Sequence, residues 1–144
     1  LQKEILEQEK FDYIVTAHHA DDVVETFMIN LSRGTGLDGL TGIPSQNGNI
    51  IRPMLPFSRK EIENYVSENK LQWREDSSNT SDKYLRNKIR HHVIPVFKEI
   101  NESFLQSFQN TLDHLNQEQS IVLLSLHSLL FIKNTHKENL MSKV

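Results

Sequence analysis

The chain has 144 residues, with 16 Lys and Arg against 19 Asp and Glu, a formal net charge of −3 and no cysteine. That length suffices for one domain with a real core. The missing cysteines exclude disulfides, Cys-ligated zinc and thiol catalysis, and the near-neutral charge does not by itself point to nucleic acid. With no signal peptide or spanning segment visible, a cytoplasmic protein without a membrane partner is expected.

Ile5 and Leu6 read as part of an opening helix. Tyr13-Ile14-Val15-Thr16-Ala17 is β-branched, aromatic or small, and predicts a short buried strand. Val24, Met28 and Leu31 then recur at helical spacing, so His18-His19-Ala20-Asp21-Asp22 falls where strand hands over to helix. Asp21 and Glu25 are an i,i+4 pair and Asp22 and Glu25 an i,i+3 pair, which places three carboxylates on one helix face. With the apolar stripe buried opposite, this face is expected to be exposed and free for a ligand, beyond the carboxyl end of a strand where open α/β sheets bind ligands. The plainer explanation is that acids in a first helical turn answer the helix dipole and the histidines are polar loop residues. Like charges on one turn repel unless a cation or donor sits among them, and Asp21 and Asp22 are the candidate metal ligands.

Gly34-Thr35-Gly36-Leu37-Asp38-Gly39 spells G-x-G-x-x-G, but it follows a helix, whereas a dinucleotide fingerprint follows a strand and opens a helix. The loop through Gly42 to Pro44 instead lets backbone approach a ligand or a neighbouring element, with Arg33 available for a phosphate or carboxylate. Ile50-Ile51-Arg52-Pro53 predicts a short extended segment. Ser58 and Glu61 form a capping box that opens a helix to about Asn69, with Ile62, Tyr65 and Val66 as its buried stripe and Arg52 and Arg59 flanking its start. Trp73 is expected to anchor a core rather than to stack on a base, and Arg74 to Asn79 read as polar loop.

From Lys83 to Lys98 there are five Lys and Arg and no acid. Leu85, Ile89 and Val93 mark the buried side up to a break expected near Pro95, and Arg86 and Arg90 lie one turn apart on another face, suited to phosphate. Beyond Asn101 the apolar series Leu105, Phe108, Leu112, Leu115, Val122, Leu126 and Leu129 predicts a long helix, or a helical hairpin broken near Asn116 to Ser120. It is too interrupted to span a membrane. His114 and His127 are not expected to be ligands.

Six ordered blocks carry a resemblance over about residues 13 to 97. They are His18-His19-Ala20-Asp21-Asp22-x-x-Glu25-Thr26, Arg33-Gly34-Thr35-Gly36-Leu37-x-Gly39-Leu40, Ile51-Arg52-Pro53-x-Leu55, Arg59-x-x-Ile62, Trp73-Arg74-Glu75-Asp76-x-Ser78-Asn79 and Arg86-Asn87-x-Ile89-Arg90. In this order they resemble the bacterial tRNA(Ile)-lysidine synthetase family of PP-loop ATP pyrophosphatases.

The resemblance implies an α/β fragment, mostly helical. Residues 1–98 would be the C-terminal part of a Rossmann-like PP-loop nucleotide-binding domain, and residues 99–144 a helical linker or the start of a substrate-binding region. It also implies that the N-terminal PP-loop is lacking, since the family's Ser-Gly-Gly-x-Asp-Ser motif does not occur in the sequence and the chain opens on Leu1. The implied parent reaction uses ATP and Mg²⁺ to adenylate the wobble cytidine of a tRNA(Ile) with anticodon CAU, after which free L-lysine displaces AMP. His18, His19, Asp21, Asp22 and Glu25 are the implied catalytic residues, with Asp21 and Asp22 also the metal candidates. Arg33, Gly34, Gly36, Arg52, Arg59, Arg86, Asn87 and Arg90 would bind ATP or tRNA. A homodimer is a further expectation, and the 144 residues alone are expected to be inactive. A related PP-loop tRNA thiolase, a metal-dependent phosphohydrolase built on His18, His19, Asp21 and Asp22, and a non-catalytic RNA-binding module stand as alternatives.

Overall fold

A computed structural model describes residues 6, 8–73 and 83–141, with side chains from 84 to 126 in the last of these stretches. Ile5, Arg74 to Asn79 and the side chains of His127 and Leu129 lie outside the described residues. The elements are mostly helical around a small mixed sheet. Strand β1 (Ile14–Val15) leads into α1 (Ala20–Arg33) and the single turn α2 (Leu37–Leu40), and then come β2 (Gln46–Asn47), β3 (Ile50–Ile51) and α3 (Arg59–Glu68). Helix α4 (Lys83–Lys88) runs through a π turn (Ile89–Val93) into α5 (Ile94–Ile100), and α6 (Phe104–Met141) is one continuous helix rather than a hairpin.

The sheet order is β1-β3-β2, with β1 parallel and β2 antiparallel to β3. The β2–β3 hairpin was not among the expected elements. Its signal is the two-residue Gly48-Asn49 turn, where Gly48 has φ 57°, the left-handed conformation that such a tight turn requires. β1 is shorter and more open than expected, for Tyr13 and Val15 are more than half exposed. Its apolar residues face no covering layer among the described residues.

The core joins Val23 and Val24 of α1 to Ile89, Ile94, Phe108 and Leu112, with Phe27, Met28 and Ile29 packed against it. Leu31, expected in the stripe, is exposed, because the buried arc of α1 is centred on Val23, Val24 and Glu25. The first turns of α6 belong to this core. Asn116 donates to the Thr41 carbonyl at 3.2 Å and Gln119 to Asp38, tying α6 to α2 and the loop that follows it. That loop crosses α1 and α6 at Gly42, where a Cβ would lie 3.0 Å from Val23 and 3.2 Å from Leu112, and where φ is 83°. Glycine therefore serves close approach to a neighbouring element there.

Pro95 does not break its helix. It sits at the start of α5, directly after a π turn, and that wider turn lets the chain pass a residue lacking an N–H without a clash into the preceding carbonyl. Farther along α6, Ile121, Val122, Leu123 and Leu126 are more than half exposed, so the predicted apolar seam is buried only as far as Leu115.

Candidate functional site

The site lies where β1 ends and α1 begins. His19 is the N-cap of α1, and its backbone N–H donates to Asp22 Oδ2 at 3.0 Å, so Asp22 closes the cap as a third-position acid does in a capping box. The His19 imidazole Nε2 lies 3.4 Å from the same oxygen, while Nδ1 is buried without a hydrogen-bond partner among the described residues. His18 shares a 2.9 Å hydrogen bond between its Nδ1 and Thr16 Oγ1. Asp21 Oδ2 accepts from the Arg59 backbone N–H at 2.8 Å, and its Oδ1 accepts from Lys98 Nζ at 2.9 Å.

The acidic face is not free, which corrects the expectation for Glu25. Glu25 is wholly buried, and Arg90 grips it with two bonds, Nε to Oε1 at 2.6 Å and an Nη2 donor to Oε2 at 2.9 Å. Arg86 stands 3.6 Å from the same carboxylate and Arg90 3.7 Å from Asp22. The acids of α1 and the bases of the helix at 83–98 thus run side by side, Glu25 against Arg86 and Arg90, Asp22 against Arg90, and Asp21 against Lys98. Two faces that each suggested an external ligand largely neutralise one another. The π turn carries Arg90, a placement common at functional sites that no periodicity in the sequence disclosed.

The Glu25 carboxylate raises the Arg90 pKa, so that guanidinium is a fixed charge. Burial pushes the Asp21 pKa up, but the Arg59 amide, the Lys98 ammonium and His19 together outweigh it and hold the group below its ordinary value. A depressed folded pKa stabilises the fold above the unfolded value of about 3.9, and that contribution is lost as pH falls through the folded pKa. Replacing Lys98 with Met is therefore expected to raise the Asp21 pKa and move the acid-side loss of stability to higher pH. Carboxyl NMR titration together with urea unfolding between about pH 2 and 5 checks both shifts. An unmoved Asp21 titration would show that Lys98 is only a surface neighbour.

The remaining cations divide. Arg52 Nη1 donates to the Pro44 carbonyl at 2.8 Å, and Arg59 Nε to Glu63 at 2.7 Å, so both brace local structure. Arg33 is exposed, and its guanidinium has no bond among the described residues. It adjoins Gly34, whose φ of 71° ends α1, and Gly36, which caps α2. Asn87 is half-buried beside Arg86. As metal ligands Asp21 and Asp22 do not fit: Asp21 already accepts nitrogen donors at both oxygens and Asp22 at Oδ2, and no group of three metal-binding side chains gathers among the described residues.

The capping box at α3 is present in both halves, with Ser58 N–H donating to Glu61 at 2.7 Å and Glu61 N–H to Ser58 Oγ at 3.2 Å. Its expected apolar stripe is only half-buried at Ile62 and Val66, and Tyr65 is exposed. Trp73 is 61% exposed, so it is not a core anchor.

The sequence pattern of the PP-loop domain matches residues 1–97. The chain belongs to the PP-loop domain family. Because that match begins at residue 1, the expectation of a chain lacking the N-terminal PP-loop is withdrawn, although the Ser-Gly-Gly-x-Asp-Ser letters are absent from the sequence. Among curated proteins the chain is similar to tRNA(Ile)-lysidine synthase of Thermosipho africanus, 44% identical over 119 residues that make up 83% of this chain and 28% of the relative. The protein of that name from Chlorobaculum tepidum is 40% identical over 128 residues, 88% of this chain and 39% of the relative. That from Bacteroides thetaiotaomicron is 46% identical over 108 residues, 75% and 25% respectively. The chain thus spans about a quarter to two fifths of the length of these relatives. In this PP-loop domain the charge-paired seam between α1 and the π turn lies at the carboxyl end of β1. No helix among the described residues is long and apolar enough to cross a membrane.

Proposed function

We propose that this PP-loop domain serves ATP-dependent tRNA modification, forming lysidine at a wobble cytidine of tRNA(Ile) with free lysine as the nucleophile. The small sheet is then part of a Rossmann-like nucleotide-binding half. The observation that carries the reading is the set of carboxylates and guanidinium at one strand end. Asp21 and Asp22 keep 13% and 14% of their side chains exposed, beside an Arg90 that keeps 30%. Asp22 Oδ1, which accepts no hydrogen bond among the described residues, and Arg90 complement a free amino acid, an ammonium facing the carboxylate and its carboxylate facing the arginine. Asp22 and His19 are adjacent proton acceptors for an attacking amine, and His18 is a third within the same loop. The names of the relatives support the same reaction class. Arg33, with no bond among the described residues and beside a glycine-rich turn, is the cation best placed to receive a phosphate of ATP or tRNA.

The test supplies ATP, Mg²⁺, isotope-labelled lysine and a tRNA(Ile) transcript with anticodon CAU to a chimera in which residues 1–144 replace the matched segment of the Thermosipho africanus relative. Labelled lysine is expected in the tRNA. A folded chimera that leaves the tRNA unlabelled would overturn the reading.

A further inference from the structure

The charged seam consumes only part of the basic run at 83–98. Arg86, Arg90 and Lys98 answer Glu25, Asp22 and Asp21 on the side that faces α1. Lys88, His91 and His92 are left on the opposite side, all exposed and with no hydrogen bond or ion pair among the described residues. No Asp or Glu occurs from Lys83 to Lys98, so this outward face has no acid of its own to neutralise it. Local geometry builds the face. Lys88 and His92 are four residues apart and lie one above the other, and Tyr84, 79% exposed, stands a further four residues before them. The π turn contributes as well: Ile89 and Ile94 are buried five residues apart, so four side chains rather than three stand between them. Arg90 turns inward to Glu25, and both imidazoles reach solvent.

We infer that the outward face of α4 and the π turn, through Tyr84, Lys88, His91 and His92, holds the sugar–phosphate backbone of the RNA substrate. Phosphate oxygens accept most of the hydrogen bonds at nucleic-acid interfaces, and an ammonium, an imidazole ring N–H in either charge state and a phenol hydroxyl all donate to them. The donors are strung out over about 12 Å from Tyr84 to His92, at about 1.5 Å per helical residue. That spread follows successive phosphates along a strand, whereas a triphosphate calls for donors that converge on one point. Backbone contacts of this kind position an RNA without reading its sequence. Because Arg90 sits in the same turn and reaches Glu25 and Asp22, RNA held on this face lies next to the charged seam. The inference rests on the function proposed above and assigns the surface that holds its RNA.

The test titrates the 144-residue chain into a fluorescently labelled RNA hairpin carrying CAU in its loop and reads Kd by anisotropy over a series of salt concentrations. Lys88→Gln is expected to raise Kd about eightfold at about 0.1 M salt, which is what one phosphate contact gains relative to 1 M at a log–log slope of about 0.9, and to flatten the salt dependence by that slope. The double variant His91→Ala/His92→Ala should weaken binding about tenfold, the low end for one hydrogen bond to a charged acceptor. A hairpin with a scrambled loop should show the same losses, because these contacts do not read bases. Lys60→Gln, at an exposed lysine of α3, serves as the charge control and should leave the slope unchanged. All the substituted side chains are exposed, so every variant should keep the native circular dichroism spectrum. Four results would overturn the inference: an unchanged Kd and slope in Lys88→Gln, an equal loss in Lys60→Gln, a hairpin that does not bind at all, or ATP binding that weakens in Lys88→Gln as much as the hairpin does. Lysine labelling by the chimera is a separate measurement. Success there with an unchanged slope in Lys88→Gln refutes the RNA face alone.

Discussion

Glu25→Ala is expected to lower the unfolding free energy by about 3 kcal/mol, the lower end of the cost of breaking a buried ion pair. Glu25 is wholly buried and accepts two bonds from Arg90, with Arg86 a third neighbour at 3.6 Å. Removing the carboxylate takes from Arg86 its ion-pair partner and leaves Arg90 only the longer 3.7 Å contact with Asp22. Both arginines retain partial exposure and can draw in water, which keeps the loss at that lower end. Urea unfolding at neutral pH measures it. Arg90→Ala is expected to cost at least as much, because it strands the fully buried carboxylate with only the longer Arg86 contact. Replacing both partners by Met should recover much of the loss, since the desolvation penalty then disappears with the charges. A loss under about 0.5 kcal/mol in Glu25→Ala would return the residue to a solvated surface role.

Phe108→Ala is expected to cost about 3–5 kcal/mol, the range for truncating a buried aromatic. Phe108 meets Phe27 of α1 edge-on with centroids 5.1 Å apart, and Phe104 at 6.0 Å, and it joins the same apolar cluster as Val24 and Ile94. A linker helix lying outside the domain would not notice the change. Thermal and urea unfolding of Phe108→Ala beside an exposed control, Leu126→Ala, should separate the buried N-terminal turns of α6 from its open distal part. Equal, small losses in both variants would place the whole helix outside the cooperative unit.

Both expectations depend on contacts that join distant parts of the chain, and there the sequence reading reached its limit. The start of α3 was legible because a capping box is a local device: Ser58 and Glu61 are three residues apart, and their mutual bonds need nothing else. The start of α1 was legible from the helical spacing of Val24 and Met28 after a β-branched run, and the exclusion of a dinucleotide fingerprint from Gly34 and Gly36, which follow a helix and cannot open one from a strand. The ordered blocks of residues pointed to the PP-loop family without any coordinates.

What an i,i+4 spacing could not decide was which way its shared face points. Asp21, Asp22 and Glu25 cluster as the periodicity required, but Glu25 lies within the buried arc because Arg90, 65 residues away, supplies the charge that makes its burial tolerable. Asp21 likewise owes its environment to Lys98, 77 residues on. Trp73 went the other way. Large and aromatic, it carried the composition of a core residue, yet a chain reversal at Lys70, where φ is 51°, leaves it exposed. Short-range patterning determined the elements and the family of this chain. Only the tertiary structure decided which charges neutralise one another and which remain for a ligand, because electrostatic pairing and burial are properties of the surroundings that packing brings to a side chain.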